Sequence, residues 1–143
     1  MTDEHDAAGA WSAQTRAIRA GRHEGDTSLA PVLWPTTTFV TPTVDEGREM
    51  ATRIGAERFY SRYGNPTVRA FEDAVAELEG AESALAFASG MGAVASVVLA
   101  LCSKGDHVVA QRNLYAGTLA FLQGPCARLG IETTLVEGHR PGA

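Results

Sequence analysis

The sequence predicts an α/β fold: a parallel β-α-β-α-β unit that follows an extended N-terminal arm. Three observations carry this. From residue 83 onward, short apolar runs of strand length alternate with longer runs of helical length. A cluster of small residues, Ser89-Gly90-Met91-Gly92-Ala93, joins the first strand-like run to the helix-like run after it. Ahead of this region, Pro31, Pro35 and Pro42 exclude both helix and central strand. The alternating order implies parallel strands with right-handed crossovers.

Taken in order, residues 1–10 are polar and read as a disordered tail. Residues 11–65 form the arm, with a short helix from Ser12 to Ala20 closing at Gly21 and another from Asp45 to Ile54. The apolar residues of the arm, such as Leu33, Trp34 and Phe39, need a surface to lie against. A neighbouring subunit and the chain's own body are both open for that role, and an arm packing on a neighbouring subunit is the expectation. Asn65-Pro66 is a strong helix start, since Asn caps free N–H groups and Pro is pre-set for the first helical position. That helix runs to Glu79 with Val68, Phe71, Val75 and Leu78 on one face, and Gly80 ends it. The carboxylates of residues 72–79 read as a solvated face. Residues 66–143 then form the first part of a larger domain. A buried strand is expected over Ser83–Ala88, an all-round apolar helix over Met91–Ser103, and a strand over His107–Ala110. A helix from Gly117 to Leu129, kinked at Gly124-Pro125, leads to a last strand over Ile131–Val136. Three strands without the rest of a sheet leave an open edge and an uncovered helix, so association or a partner is expected.

Composition narrows the function classes. Of 143 residues, 45% are hydrophobic and 20% charged, as in ordinary globular proteins. A net charge of −5 argues against nucleic acid or an anionic membrane as the main partner. The N-terminus is acidic with no apolar core behind it, so no signal peptide is expected and the protein reads as cytoplasmic. Cys102 and Cys126 have no metal-ligand spacing and read as small buried thiols. His5, His23, His107 and His139 likewise have no ligand spacing.

In an open parallel sheet, ligands bind outside the carboxyl ends of the strands. The first expected strand ends at Ser89-Gly90-Met91-Gly92, where a helix N-terminus and free N–H groups favour a phosphate. The second ends near Tyr115, an aromatic ring on the same edge. A phosphate seat beside a ring suggests a phosphorylated aromatic ligand. One alternative is an NADP-binding Rossmann-type module, because Gly90-x-Gly92-x-x-Ala95 fits a dinucleotide fingerprint and Arg112 offers a contact to a 2′-phosphate. That reading leaves Tyr60-Ser61-Arg62 without a role. A non-enzymatic product acting only in association is a further alternative.

Three ordered motifs carry a resemblance. Tyr60-Ser61-Arg62-Tyr63-Gly64-Asn65-Pro66-Thr67, then Ala88-Ser89-Gly90-Met91-Gly92-Ala93, then Tyr115-Ala116-Gly117-Thr118 resemble the N-terminal part of the Cys/Met-metabolism family of pyridoxal-phosphate (PLP) enzymes. Its members include cystathionine γ-synthase, cystathionine γ-lyase, O-acetylhomoserine sulfhydrylase and methionine γ-lyase. The resemblance runs from near Thr15 to the end of the chain. It implies a type I, aspartate aminotransferase-like PLP fold and a dimer of dimers acting on small amino-acid substrates. It also implies that Ser89 and the backbone of Gly90 and Met91 hold the PLP phosphate and that the Tyr115 ring stacks on the pyridine. Tyr60 and Arg62 would reach the phosphate in an adjoining subunit, with catalytic parts for Tyr115 and Tyr60. The reaction implied is α-proton abstraction with PLP as electron sink, then γ-elimination or γ-replacement. Methionine γ-lyases typically have Cys where Gly117 stands, which favours the cystathionine enzymes and sulfhydrylases. The family's Schiff-base lysine, in a Ser-x-Thr-Lys motif, and its pyridine-binding Asp are expected beyond residue 143. Lys104 is the sole lysine and lies at a helix end. The chain is therefore expected to be a truncated part of an enzyme, inactive alone.

Overall fold

The computed structural model describes residues 11–22, 27–53 and 55–137, so the expectations for the tail 1–10, Ile54, His5, His23 and His139 lie outside the described residues. The chain divides into two compact units, 1–86 and 87–143.

Among its described residues, the first unit holds three helices. Helix α1 spans Ala13–Arg19, with Ser12 accepting from the Thr15 N–H at 3.3 Å and Gly21 turning the chain at φ 71°. Helix α2 spans Val44–Thr52, opened by Thr43, whose hydroxyl accepts from the Glu46 N–H. Helix α3 spans Pro66–Glu79 and has the capping read from its sequence. Asn65 Oδ1 accepts from the Thr67 N–H at 2.9 Å, Pro66 opens the helix, and Gly80 closes it in the left-handed region at φ 65°. Helix α1 packs on α3, and the contact is tight because Gly21 sits against the Ala70 carbonyl.

The arm between Val32 and Phe39 is tied to the segment that leads into α3. Thr38 and Tyr60 form an antiparallel bridge, flanked by Phe39 N–H to the Phe59 carbonyl at 3.0 Å and Ser61 N–H to the Thr37 carbonyl at 2.8 Å. Trp34 N–H donates to Thr67 Oγ1 at 2.8 Å, and Asn65 Nδ2 donates to the Trp34 carbonyl at 3.0 Å. Prolines leave this stretch irregular, and its backbone groups are satisfied by side chains where a sheet would have satisfied them. The face of α3 carrying Val68, Phe71 and Leu78 is exposed, and the buried positions of the helix are Pro66, Ala70 and Ala76. Glu72 departs from the solvated face expected for residues 72–79, because its Oε1 accepts from the Ala86 N–H at 2.8 Å.

The second unit begins with helix α4, Gly90–Leu101, capped by Ser89. Strand β1, His107–Gln111, leads to helix α5, Ala116–Phe121, then to a π-helical turn, Leu122–Cys126. Strand β2, Glu132–Val136, lies parallel to β1, with His107 opposite Glu132 and Gln111 opposite Val136. The expected strand over Ser83–Ala88 does not form. It leads into the cap of α4 without ladder bonds, and a strand exists only where a neighbour accepts them, whereas among the described residues β1 and β2 pair only with each other. The expected kink at Gly124-Pro125 is taken up by the π turn, whose wider ring accommodates the N–H that proline lacks. The core of this unit is Leu122, Cys126 and Ile131, with Val98, Cys102, Val108 and Leu114 packed around it.

Candidate functional site

Two turns of the second unit make the site, and a short contact joins them. At the first, Ser89 is extended, its Oγ accepts from the Gly92 N–H at 3.0 Å, and its carbonyl accepts from the Ala93 N–H at 3.1 Å. Ahead of those bonds, the N–H groups of Gly90 and Met91 have no acceptor among the described residues. They stand at the positive end of a 12-residue helix. A Cβ placed on Gly90 would meet nothing within 4 Å, so the approach to these donors is open. Two free N–H groups, a hydroxyl that can still donate and an open approach fit a phosphate.

The second turn follows β1. It is pinned to the sheet by Arg112 N–H donating to the Val136 carbonyl at 2.8 Å and to itself by Leu114 N–H donating to the Arg112 carbonyl at 3.0 Å. Tyr115 then precedes α5 with a non-helical backbone, φ −54° and ψ 133°, and an exposed ring. Thr118 Oγ1 donates to Met91 Sδ at 3.5 Å, which brings the Tyr115 turn against the Ser89 turn. Ser89, Gly90, Met91 and Tyr115 therefore gather at one end of the unit. Thr118 was part of a motif but had no role from sequence alone; a Thr–Met contact across 27 positions leaves no local pattern to read.

Tyr60 and Arg62 belong to the first unit. The Arg62 guanidinium lies 5.3 Å from the ring centroids of both Tyr60 and Tyr63. These rings back the charge without neutralising it, and Arg62 has no carboxylate partner among the described residues. Its head is free for an anion. Tyr63 is the partner that sequence reasoning missed, although it lies beside Arg62 in the motif.

The other residues weighed for chemistry have ordinary places. Arg112 Nε donates to Glu137 Oε1 at 3.1 Å, so the group suggested for a 2′-phosphate already has a carboxylate. Lys104 precedes β1, and its side chain lies across Gly130, close enough that a Cβ there would stand 2.8 Å from the Lys104 Cγ. Tyr115 follows β1 at the other end, so the five residues of the strand separate the two by about 16 Å. His107 Nε2 lies 2.9 Å from Thr134 Oγ1, a cross-strand pair. Both cysteines are free thiols, and burial together with the neighbouring Cys102 pushes the Cys126 thiol above its ordinary pKa. Among the described residues, no three His, Cys, Asp or Glu side chains could hold a metal ion, and no helix is long and apolar enough to cross a membrane.

Known proteins resemble this chain along almost its whole length. The family model for Cys/Met metabolism PLP-dependent enzymes matches residues 14–143. An O-succinylhomoserine sulfhydrylase of Pseudomonas aeruginosa is 42% identical over 124 residues, covering 82% of this chain and 30% of that protein. An L-methionine gamma-lyase of Porphyromonas gingivalis is 38% identical over 128 residues, covering 89% of this chain and 32% of that protein. The crystal structure of metB from Corynebacterium glutamicum matches with a TM-score of 0.77 at 30% identity, covering 91% of this chain and 32% of that one. The chain thus spans about 30% of the length of the curated relatives it matches.

Proposed function

The chain belongs to the Cys/Met metabolism family of PLP-dependent enzymes, and on that premise we propose that it supplies the phosphate seat and ring contact of a carbon–sulfur lyase or transferase. The reaction is γ-elimination or γ-replacement on sulfur amino acids or homoserine-derived ones. One observation carries the reading: the open N-terminus of α4, whose Gly90 and Met91 N–H groups have no acceptor among the described residues, is held against the Tyr115 turn by the Thr118–Met91 contact. PLP, when bound, supplies an electron sink for a carbanion at the substrate.

In this reading Ser89 Oγ and the N–H groups of Gly90 and Met91 take the phosphate, each charged hydrogen bond contributing about 1.5–3 kcal/mol. The Tyr115 ring covers one face of the pyridine and keeps water from it, and its hydroxyl is available to hold a proton near the substrate. Tyr60 and Arg62 serve the phosphate of a neighbouring subunit's site, with Tyr63 as a second ring behind the guanidinium. This requires at least a dimer, and the assembly proposed is a dimer of dimers. Sulfhydrylase and lyase relatives match the chain at comparable identity, so elimination and replacement are carried together. Lys104 lies at the far end of β1 from Tyr115 and is not the cofactor's lysine; the 143-residue chain alone turns over no substrate.

Parallel titrations with PLP, pyridoxal and NADPH, followed by absorbance, test this. PLP is expected to bind tightest, with pyridoxal weaker by on the order of tenfold or more because it lacks the phosphate. Tighter binding of NADPH than of PLP would overturn the reading in favour of a dinucleotide module.

A further inference from the structure

We propose that Ser61 is a positioning residue: its hydroxyl fastens the turn that carries Arg62 to the N-terminal arm, so that the guanidinium meets a phosphate at a set place. Ser61 and Arg62 are the two central residues of a tight turn, closed by the Tyr63 N–H donating to the Tyr60 carbonyl at 2.8 Å. The Arg62 guanidinium lies over the rings of Tyr60 and Tyr63, the two residues that flank this pair, and has no carboxylate partner among the described residues. Its direction therefore follows the turn as a body.

Ser61 ties that body down at three points. Its N–H donates to the Thr37 carbonyl at 2.8 Å, its Oγ donates to the Thr36 carbonyl at 2.5 Å, and the same Oγ accepts from Asn65 Nδ2 at 2.9 Å. One hydroxyl thus joins the arm, the turn and the cap of α3. It ends a series in which side chains hold alternate arm carbonyls: Thr67 Oγ1 donates to Val32, Asn65 Nδ2 to Trp34 and Ser61 Oγ to Thr36. Without the hydroxyl, the backbone bond to Thr37 and the Thr38–Tyr60 bridge remain, so the turn stays attached but rocks. A rocking anchor loses more freedom on meeting its ligand than a preorganised one. This inference rests on the reading that Arg62 serves a phosphate.

The readout is the preference of the full chain for PLP over pyridoxal, taken as the ratio of their dissociation constants, because it isolates the phosphate. Ser61→Ala is expected to lower the ratio by on the order of threefold or more, with pyridoxal affinity changed by less than about twofold. Ser61→Thr keeps a hydroxyl and is expected to hold the native ratio within about twofold. Where Ser61→Ala does not fold, Ser61→Cys, close in size but a weak hydrogen-bonding group, carries the same expectation. In an Arg62→Ala background the loss of the hydroxyl should lower the ratio no further. Equal losses for PLP and pyridoxal, or the same fall in ratio with and without Arg62, would show plain structural support and overturn the proposal. A ratio in Ser61→Thr as low as in Ser61→Ala overturns the dependence on the hydroxyl. If Arg62→Ala alone leaves the ratio unchanged, the phosphate reading of Arg62 fails and takes the proposal with it. If Arg62→Ala lowers the ratio and Ser61→Ala does not, the proposal alone fails.

Discussion

Asn65 shows how one side chain can do more than its local sequence position announces. It is buried, its Oδ1 caps α3, and its Nδ2 donates both to the Trp34 carbonyl and to Ser61 Oγ, at 3.0 and 2.9 Å. The cap was legible from Asn65-Pro66 because it is local. The two donations were not, because their partners come from the proline-rich arm, which has no period to read. The two roles separate by mutation. Asn65→Ala is expected to cost about 2–3 kcal/mol in urea denaturation, from the loss of a cap and of two hydrogen bonds to half-buried partners. Asn65→Asp keeps the capping oxygen but turns both donors into acceptors facing oxygens, so it should destabilise at least as much. A near-neutral Asn65→Asp would mean that capping is the whole of its contribution. Cys126 makes a second residue-scale case. Its pKa is raised, first by burial and then by Cys102, so the folded state holds the thiol proton more tightly than the unfolded chain. The unfolded chain then binds fewer protons once pH passes the ordinary thiol value, and stability falls with rising pH there. Below that value the contribution is constant. Denaturation midpoints should decline above about pH 9 in the native protein and less steeply in Cys126→Ala. Alkylation should reach Cys102 first, since Cys126 is fully buried.

At the scale of elements, the crossing of α1 on α3 depends on Gly21 for two reasons at once. Its φ of 71° is left-handed, and a Cβ there would lie 2.0 Å from the Ala70 carbonyl oxygen. Gly80 shares the first property, at φ 65°, but has open space around it. Gly80→Ala should therefore cost about 1 kcal/mol, the left-handed strain alone. Gly21→Ala should cost about 3 kcal/mol or more, since the backbone of α3 must also move. Equal costs in chemical denaturation would show that the helices separate freely. The same division between local and distant causes explains which elements the sequence made readable. Helix α3 announces itself through Asn65, Pro66 and Gly80, all acting within their own turns. Residues 83–88 have a strand's composition, but composition cannot supply the neighbour that makes a strand. Pro125 forecast an interruption, and only the packing of Leu122 and Cys126 into the core chose a π turn over a break. In the candidate site, the Ser89 turn was legible as a local cap. The Thr118–Met91 contact was not, because it depends on side-chain placement in the folded unit.

For the molecule as a whole, the distribution of apolar surface sets what the chain can do alone. Among the described residues, the buried apolar side chains of the first unit are Pro66 and four alanines, Ala20, Ala56, Ala70 and Ala76, and a methyl contributes only about 0.8 kcal/mol. Several of its larger side chains face outward, Phe71 and Leu85 being 61% and 77% exposed. In the second unit Val97, Leu99, Leu101 and Val109 are exposed, although α4 is apolar on nearly every side. Burying a leucine or valine contributes about 1.5–3 kcal/mol, so these four represent several kcal/mol of stabilisation left unused. The two-stranded parallel sheet adds unpaired edges, and parallel sheets are ordinarily covered on both faces. Surface of this kind drives association unless another part of a protein covers it. The 143-residue chain is therefore expected to sediment as more than a monomer and to bind a hydrophobic dye in the absence of denaturant. Replacing Val97 and Leu101 together by lysine should lower both the average mass and the dye signal, because residues four apart share one face of α4 and both are exposed. The control is Glu77→Lys on the exposed side of α3, which should change neither. If the double substitution leaves association untouched, the α4 face is not what brings copies together, and the arm or the sheet edge is the surface to test next.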